Sequence, residues 1–283
     1  ARPNLAKVRW RLPDVFAKLP RTGAVEEIRI IAHLGEHDTL RDAFNDHSHA
    51  LARQIGRSRT AQLESDLSDA LEDFARDRGV AYGKWHRSLR SYPTAKTVAH
   101  WRAIYPRAYA THARWAGIKF GAPEWMVYAH MLQESRYKPW MISGAPAYGL
   151  LELLDRTARR LAAERNEDYQ LWMLMVPGPN VRWGTQYLGA LVDKFYGQIP
   201  FAVASYNGGP MLVAYHMQES TGKDFDVMID DLGPHECRNY VRMVIGHFLR
   251  YIAIYETPAN AAALRAKLLP RTWKAQWKPQ PDY

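Results

Sequence analysis

The amino-acid sequence predicts an all-α protein. Apolar residues recur at spacings of three and four along most of its 283 residues, the period of a helix face. No run alternates apolar and polar residues for long enough to make a strand. Loops rich in Gly, Pro and Ser separate the periodic stretches, and no fixed-period repeat is present.

The elements follow in chain order. Leu40, Phe44, Leu51 and Ile55 lie 4, 7 and 4 residues apart, and Leu63, Leu67, Leu71 and Phe74 lie 4, 4 and 3 apart. Each set falls on one face of a helix. Asp38 and Thr60 stand where N-caps belong, and Gly79 follows the second set as a C-terminal stop. Tyr92-Pro93 and Tyr105-Pro106 punctuate the next stretch. A residue before proline is biased away from helix, so a boundary is expected there. Val98, Trp101, Ala103 and Ile104, between those prolines, suggest a short helix. Periodicity then continues over 107–119, 123–137, 155–165, 179–196, 210–219 and 236–255, with loops at 138–149, 176–179 and 206–210. The tail from Pro270 carries Trp273, Trp277 and three prolines, and is expected to lack regular structure. This reading gives a helical N-terminal region over 1–98, a C-terminal domain over 99–269 and a tail over 270–283.

Composition narrows the class. Hydrophobic residues make up 47% and charged residues 24%, enough to bury a core and to exclude wholesale disorder. Lys and Arg number 38 against 29 Asp and Glu, a net charge of +9, which favours an anionic partner. The excess is spread along the chain and not packed into one arm, so nucleic acid is not the expected partner. Aromatic residues reach 12%; they suit stacking on sugars and also fill cores. The single cysteine, Cys237, allows no intrachain disulfide and reads as a small core residue. No run of 18 apolar residues marks a transmembrane helix. Ala1-Arg2-Pro3-Asn4 does not read as a signal peptide, so no targeting segment is expected in this chain. His47 and His49 lie two apart on a helix and diverge, no His-Glu-x-x-His occurs, and neither metal nor cofactor is expected.

The chemistry centres on Pro123 to Pro139. Pro123 suits the first turn of a helix. Val127, Met131 and Glu134 then fall at i, i+4 and i+7, so Glu134 projects from the apolar stripe. Desolvation raises a carboxyl's pKa, and a carboxyl protonated near neutral pH is what a general acid needs. The alternative is a Glu at a helix end, paired with Arg136 or another cation. The glycines of Tyr206-Asn207-Gly208-Gly209-Pro210 have no preceding strand and no Gly-Lys-Ser/Thr, so they are not a phosphate loop.

Three ordered blocks carry a resemblance. Glu134-Ser135-Arg136-Tyr137-Lys138-Pro139 is followed by Ser143, Ala145, Ala147, Gly149-Leu150 and Thr157-Ala158. Ala204-Ser205-Tyr206-Asn207-Gly208-Gly209-Pro210 is the second block, preceded by Asn180, Gly184, Tyr187 and Leu188. Glu236-Cys237-Arg238-Asn239-Tyr240-Val241 is the third. Together they resemble the signature of the soluble lytic murein transglycosylases, relatives of goose-type lysozymes. Trp101, Tyr105-Pro106 and Tyr109 resemble the stretch leading into that domain in long, helical-tailed members. The likeness covers about 100–255; the residues before it match in helical character only.

The resemblance implies a lysozyme-like catalytic domain, a bacterial periplasmic or envelope location, and peptidoglycan glycan strands as substrate. It implies cleavage of the MurNAc-β-1,4-GlcNAc bond by one carboxyl acting as acid and then base, leaving 1,6-anhydro-MurNAc ends. Most glycosidases instead use two carboxyls about 5–9.5 Å apart. Glu134 matches the catalytic carboxyl. Ser143 matches a serine that bonds the sugar or orients the acid, against the alternative of a loop cap. Tyr206 and Asn207 match the pair lining the cleft, with the Tyr206 hydroxyl near Glu134. Glu236 and Tyr240 match residues bordering the cleft; for Glu236 the alternative is an ion pair with Arg238 or Arg242.

The chain departs from the signature at four positions. Leu151 replaces Met, which is nearly isosteric. Glu152 replaces a cleft Gln, Pro146 replaces Gly, and Asp155 replaces Pro. Glu152 adds charge near Glu134 and suits a cationic ligand group. Two other readings remain open: a scaffold of the same fold that binds glycan or a partner without catalysis, and a muramidase using water.

Overall fold

The computed structural model describes residues 19–34, 37–60, 63, 74–268 and 273–278. The chain divides into two compact units, one ending at Val80 and the other beginning at Ala81.

In the first unit, helices α1 (Gly23–Leu34) and α2 (His37–Ile55) pack together. Val25, Ile28, Phe44, Leu51, Ile55 and Leu63 form the buried cluster. The face expected of Phe44, Leu51 and Ile55 is therefore the core face. The Leu40 and Asp38 side chains, and Leu67 and Leu71 entirely, lie outside the described residues. Gln54 ties the two helices: its Nε2 donates to the Thr22 carbonyl at 2.7 Å, and its Oε1 accepts from the Val25 N–H at 3.4 Å. Two expected signals are corrected. The Thr60 hydroxyl donates back to the Gly56 carbonyl at 3.0 Å, so Thr60 closes a helical turn. Gly79 sits inside helix α3 (Phe74–Trp85) and does not end it.

The second unit continues with α4 (Val98–Ile104), α5 (Ala110–Phe120), α6 (Glu124–Glu134), strands β1 (Ala147–Tyr148) and β2 (Leu153–Leu154), and α7 (Asp155–Ala163). Then follow α8 (Pro177–Lys194), α9 (Ile199–Gly208), α10 (Pro210–Glu219), α11 (Phe225–Asp231), α12 (His235–Tyr255) and α13 (Pro258–Leu268). The helices expected from periodicity beyond residue 98 form; most of the one expected through Leu63, Leu67 and Leu71 lies outside the described residues. The loop expected over 176–179 is instead the first turn of α8, with proline in positions where the missing N–H costs nothing. Tyr206 to Gly208, expected in a loop, are the last turn of α9. Sequence reading passed over α9 because Ile199 to Ser205 are buried on every side. Without a polar face there is no period to see.

Helix α6 packs along α12, α5 along α8, and α9 against both α8 and α12. An aromatic layer fastens α6 to α12. Trp125 stacks on Tyr255 with ring centres 5.3 Å apart, and Tyr128 stacks on Tyr251 at the same separation. The Trp125 Nε1–H donates to Glu256 Oε1 at 2.9 Å. This layer fixes the N-terminal half of α6; Glu134 stands at the opposite end of the helix. Beyond α13, residues 273–278 are irregular but anchored. Trp273 lies edge-on to Phe201 at 5.5 Å, and its Nε1–H donates to the Lys223 carbonyl at 2.9 Å.

Candidate active site

Glu134 is the last residue of α6. Met126 to Leu132 are all buried, so Glu134 closes a helix that is buried on every side, not only along the expected stripe. Arg136 and Tyr137 then take left-handed backbone angles, φ 54° and 68°, uncommon for residues other than glycine. The Tyr137 N–H still reaches the Met131 carbonyl at 3.3 Å, and Pro139 follows, so the helix cannot continue. Arg136 is exposed and makes no ion pair with Glu134. The helix-end pairing is therefore not what holds the carboxyl.

The segment facing Glu134 is held by a network of hydrogen bonds. The buried Ser135 hydroxyl reaches both the Met131 and the Leu150 carbonyls, at 3.1 and 2.9 Å. Asn180, fully buried on α8, accepts from the Leu151 N–H at 2.9 Å. Its Nδ2 donates to the Tyr148 and Leu174 carbonyls at 2.8 and 2.9 Å. Gly149 makes this possible. At φ 78° a Cβ there would stand 2.0 Å from the Leu174 carbonyl oxygen and 2.4 Å from Asn180 Nδ2, so no side chain fits. The β1–β2 hairpin pairs Ala147 with Leu154 and Tyr148 with Leu153, and so closes the loop that presents Glu152.

Three rings and two carboxylates gather around this segment. The Tyr240 hydroxyl, from α12, donates to Glu134 Oε1. The Tyr206 hydroxyl, from α9, donates to the Leu151 carbonyl at 2.8 Å and lies close enough to Glu134 to feel its charge; the direct bond to Glu134 comes from Tyr240. His130, one turn before Glu134, lies edge-on to Tyr206 at 4.9 Å and to Tyr240 at 6.1 Å. Its Nδ1 bonds the Met126 carbonyl at 2.8 Å, while the buried Nε2 has no protein partner. Burial pulls the His130 pKa down to about 4, so the ring is neutral. Glu134 keeps some exposed surface, yet its carboxyl is desolvated and its pKa rises to about 8. Burial is the main cause, the Tyr240 bond pulls the other way, and the nearby charge of Glu152 adds a smaller upward push. Burial also raises the pKa of Glu152. Both tyrosines are pushed well above their ordinary range, first by burial and then by the charge of Glu134.

The remaining expected residues fall as follows. The Ser143 hydroxyl bonds its own loop, donating to the Ala145 carbonyl and accepting from the Ala147 N–H, both at 3.2 Å. This is the loop-cap arrangement. Asn207 is exposed at the end of α9. Glu236 is exposed in the first turn of α12. The ion pairs considered for it are not made: Arg238 donates to the Leu232 and Gly233 carbonyls, and Arg242 pairs with Asp230. Cys237 is buried, its Sγ 3.6 Å from the Ala204 carbonyl, as a small packing residue between α12 and α9. Asp155 heads α7 and accepts from the Tyr169 hydroxyl at 2.5 Å. Sequence reading missed His130 and the wiring role of Asn180. The available signal for His130 was its place one turn before Glu134.

A buried helix ending in one desolvated carboxyl, bonded by a tyrosine from another helix, defines a lysozyme-like helical domain. Residues 113–229 match the family model for the transglycosylase SLT domain. A soluble lytic murein transglycosylase of Salmonella typhimurium is 30% identical over 122 residues, 42% of this chain and 19% of that one. The 70-kDa soluble lytic transglycosylase of Escherichia coli superimposes with a TM-score of 0.57 at 18% identity, covering 95% of this chain and 49% of that one. An inactive Glu-to-Gln mutant of the lytic transglycosylase Slt from Pseudomonas aeruginosa superimposes with a TM-score of 0.56 at 19% identity, covering 94% of this chain and 39% of that one. In each of these comparisons the match spans less than half of the relative's length. Among the described residues, no helix is long and apolar enough to cross a membrane.

Proposed function

We propose that the chain is a peptidoglycan lytic transglycosylase whose single acid–base group is Glu134. The observation that carries this reading is the Glu134 carboxyl itself, which burial holds protonated up to a pH of about 8 within an SLT domain. The inactive Glu-to-Gln relative supports a catalytic glutamate in this fold.

In this reading the protonated Glu134 donates to the leaving glycosidic oxygen as the C1–O bond breaks. The resulting carboxylate then takes the proton of the C6 hydroxyl, whose oxygen bonds to C1 and leaves a 1,6-anhydro-MurNAc end. Tyr240 steadies the carboxylate formed midway. Ser143, Asn207 and Glu236 are proposed to meet the glycan at the rim, with Tyr206 holding the Leu151 turn behind them. The functional unit is proposed as 99–269, and the periplasm or envelope as its compartment. Purified sacculi incubated with the protein are expected to clear and release soluble fragments; sacculi that stay intact overturn the reading. A second reading, with water as nucleophile, draws on one observation, the carboxylate of Glu152 near Glu134.

Tyr240→Phe tests the brace. The Tyr240 hydroxyl lowers the Glu134 pKa, so its loss moves that pKa upward. Activity requires the protonated acid, so the alkaline limb of the rate profile is expected to move to higher pH. The rate at pH 7 is expected to fall by about tenfold as the carboxylate loses its donor. A limb that stays in place or moves toward acid contradicts this role for Tyr240.

A further inference from the structure

Among the described residues, Glu152 is the carboxylate whose charge reaches Glu134, and the mechanism above leaves it without work. It stands at φ 42°, a left-handed angle, in a turn pinned on several sides. Its own N–H donates to the Gly149 carbonyl at 3.2 Å. The preceding residue, Leu151, is held through its N–H by Asn180 and through its carbonyl by Tyr206. The turn is thus rigid, and the side chain is presented by design of the backbone. The carboxyl is half-buried and desolvated. Among the described residues it makes no hydrogen bond and no ion pair. Arg156, the nearest cation in sequence, is exposed and does not reach it. In a chain carrying 38 Lys and Arg, a desolvated carboxylate without a cation is a costly arrangement. A ligand that supplies a positive charge relieves it without the carboxylate having to take up a proton.

We propose that Glu152 is a specificity residue that receives an ammonium group of the glycan substrate. The inference rests on the lytic transglycosylase reading and names a substrate class within it. A carboxylate accepts hydrogen bonds and cannot donate them. It therefore gains from an –NH3+ group with three donors and gains nothing from the carbonyl of an N-acetyl group. Two parts of peptidoglycan can offer such a group: a glucosamine whose N-acetyl has been removed, and a free amine on a stem peptide. The shared chemistry is a primary ammonium beside the scissile region.

Calorimetric titration tests this with two pairs of probes, each compared with its own N-acetylated form: a glucosamine tetrasaccharide and a stem tetrapeptide bearing a free side-chain amine. The wild-type chain is expected to bind one of the free amines about tenfold or more tightly than its acetylated partner, as for a charge-assisted bond. Which pair shows the difference identifies the source. Glu152→Gln is expected to bring that ratio to within about twofold. Glu152→Asn, whose side chain tolerates left-handed backbone, is expected to do the same, and the melting temperature of both variants checks that they fold. Equal binding of amine and acetylated forms by the wild type overturns the proposal, as does a ratio that survives both substitutions. So does a wild type that releases reducing ends while Glu152→Gln does not, because Glu152 would then be serving as the base for water. Failure of the underlying reading is seen separately, as sacculi that the wild type leaves intact.

Discussion

Glu134→Gln is expected to lower the rate of sacculus clearing by at least about a thousandfold while the fold survives. An amide fills the same space but can neither give up a proton nor recover one, and acid–base assistance of this kind is worth about 10²–10⁴-fold for each role. The same variant has a second, independent signature. The folded carboxyl has its pKa raised from 4.5 to about 8, so the folded state keeps a proton over a window in which the unfolded chain loses it. Stability from this group is therefore full below about pH 4.5 and declines as pH climbs to about 8. Glutamine carries no charge to desolvate. Above pH 8 the variant is expected to melt at a higher temperature than the wild type, with a smaller difference at pH 4. A variant that keeps half the wild-type rate removes Glu134 from the mechanism. A melting difference independent of pH removes the desolvated carboxyl.

Asn180→Ala carries the largest expected cost in stability. The substitution orphans the Leu151 N–H and leaves the Tyr148 and Leu174 carbonyls without their donor, all around a fully buried side chain. A buried polar group left unsatisfied costs about 1–3 kcal/mol. The sum is expected to be about 3 kcal/mol or more, a large share of the roughly 5–15 kcal/mol that holds a domain folded. Urea titration measures it directly, and a loss under about 1 kcal/mol contradicts the account. Activity at a temperature where the variant is still folded is expected to fall as well, because the Leu151 carbonyl seats Tyr206.

How much of this was legible in the sequence depends on which force fixed each element. Helices with one wet face, such as α8 and α12, declared themselves through their period. Glu134 did so too, because a charge on an apolar face breaks that period. Helix α9 did not, since a segment buried all round has no face to mark. Pro177-Gly178-Pro179 read as a loop because proline and glycine punctuate chains, yet proline also opens helices. Which of Tyr206 and Tyr240 bonds Glu134 could not be read from the sequence. Both tyrosines reach the cleft from helices distant in sequence, and only packing decides which hydroxyl meets Glu134 and which meets Leu151. Ser143 was legible as two alternatives; its hydroxyl bonds its own loop, and its place at the glycan belongs to the proposal. Glu152 stood out as an unusual residue, but its lack of a partner is a property of the folded surroundings.

In the proposed mechanism one carboxyl performs both proton transfers, and the sugar's own C6 hydroxyl, not water, attacks C1. Mass spectrometry of the fragments released from purified sacculi tests it most directly. The account predicts MurNAc ends one water lighter than the hydrolysis product, in the 1,6-anhydro form, and their disappearance with Glu134→Gln. Fragments that carry only reducing MurNAc ends would contradict it.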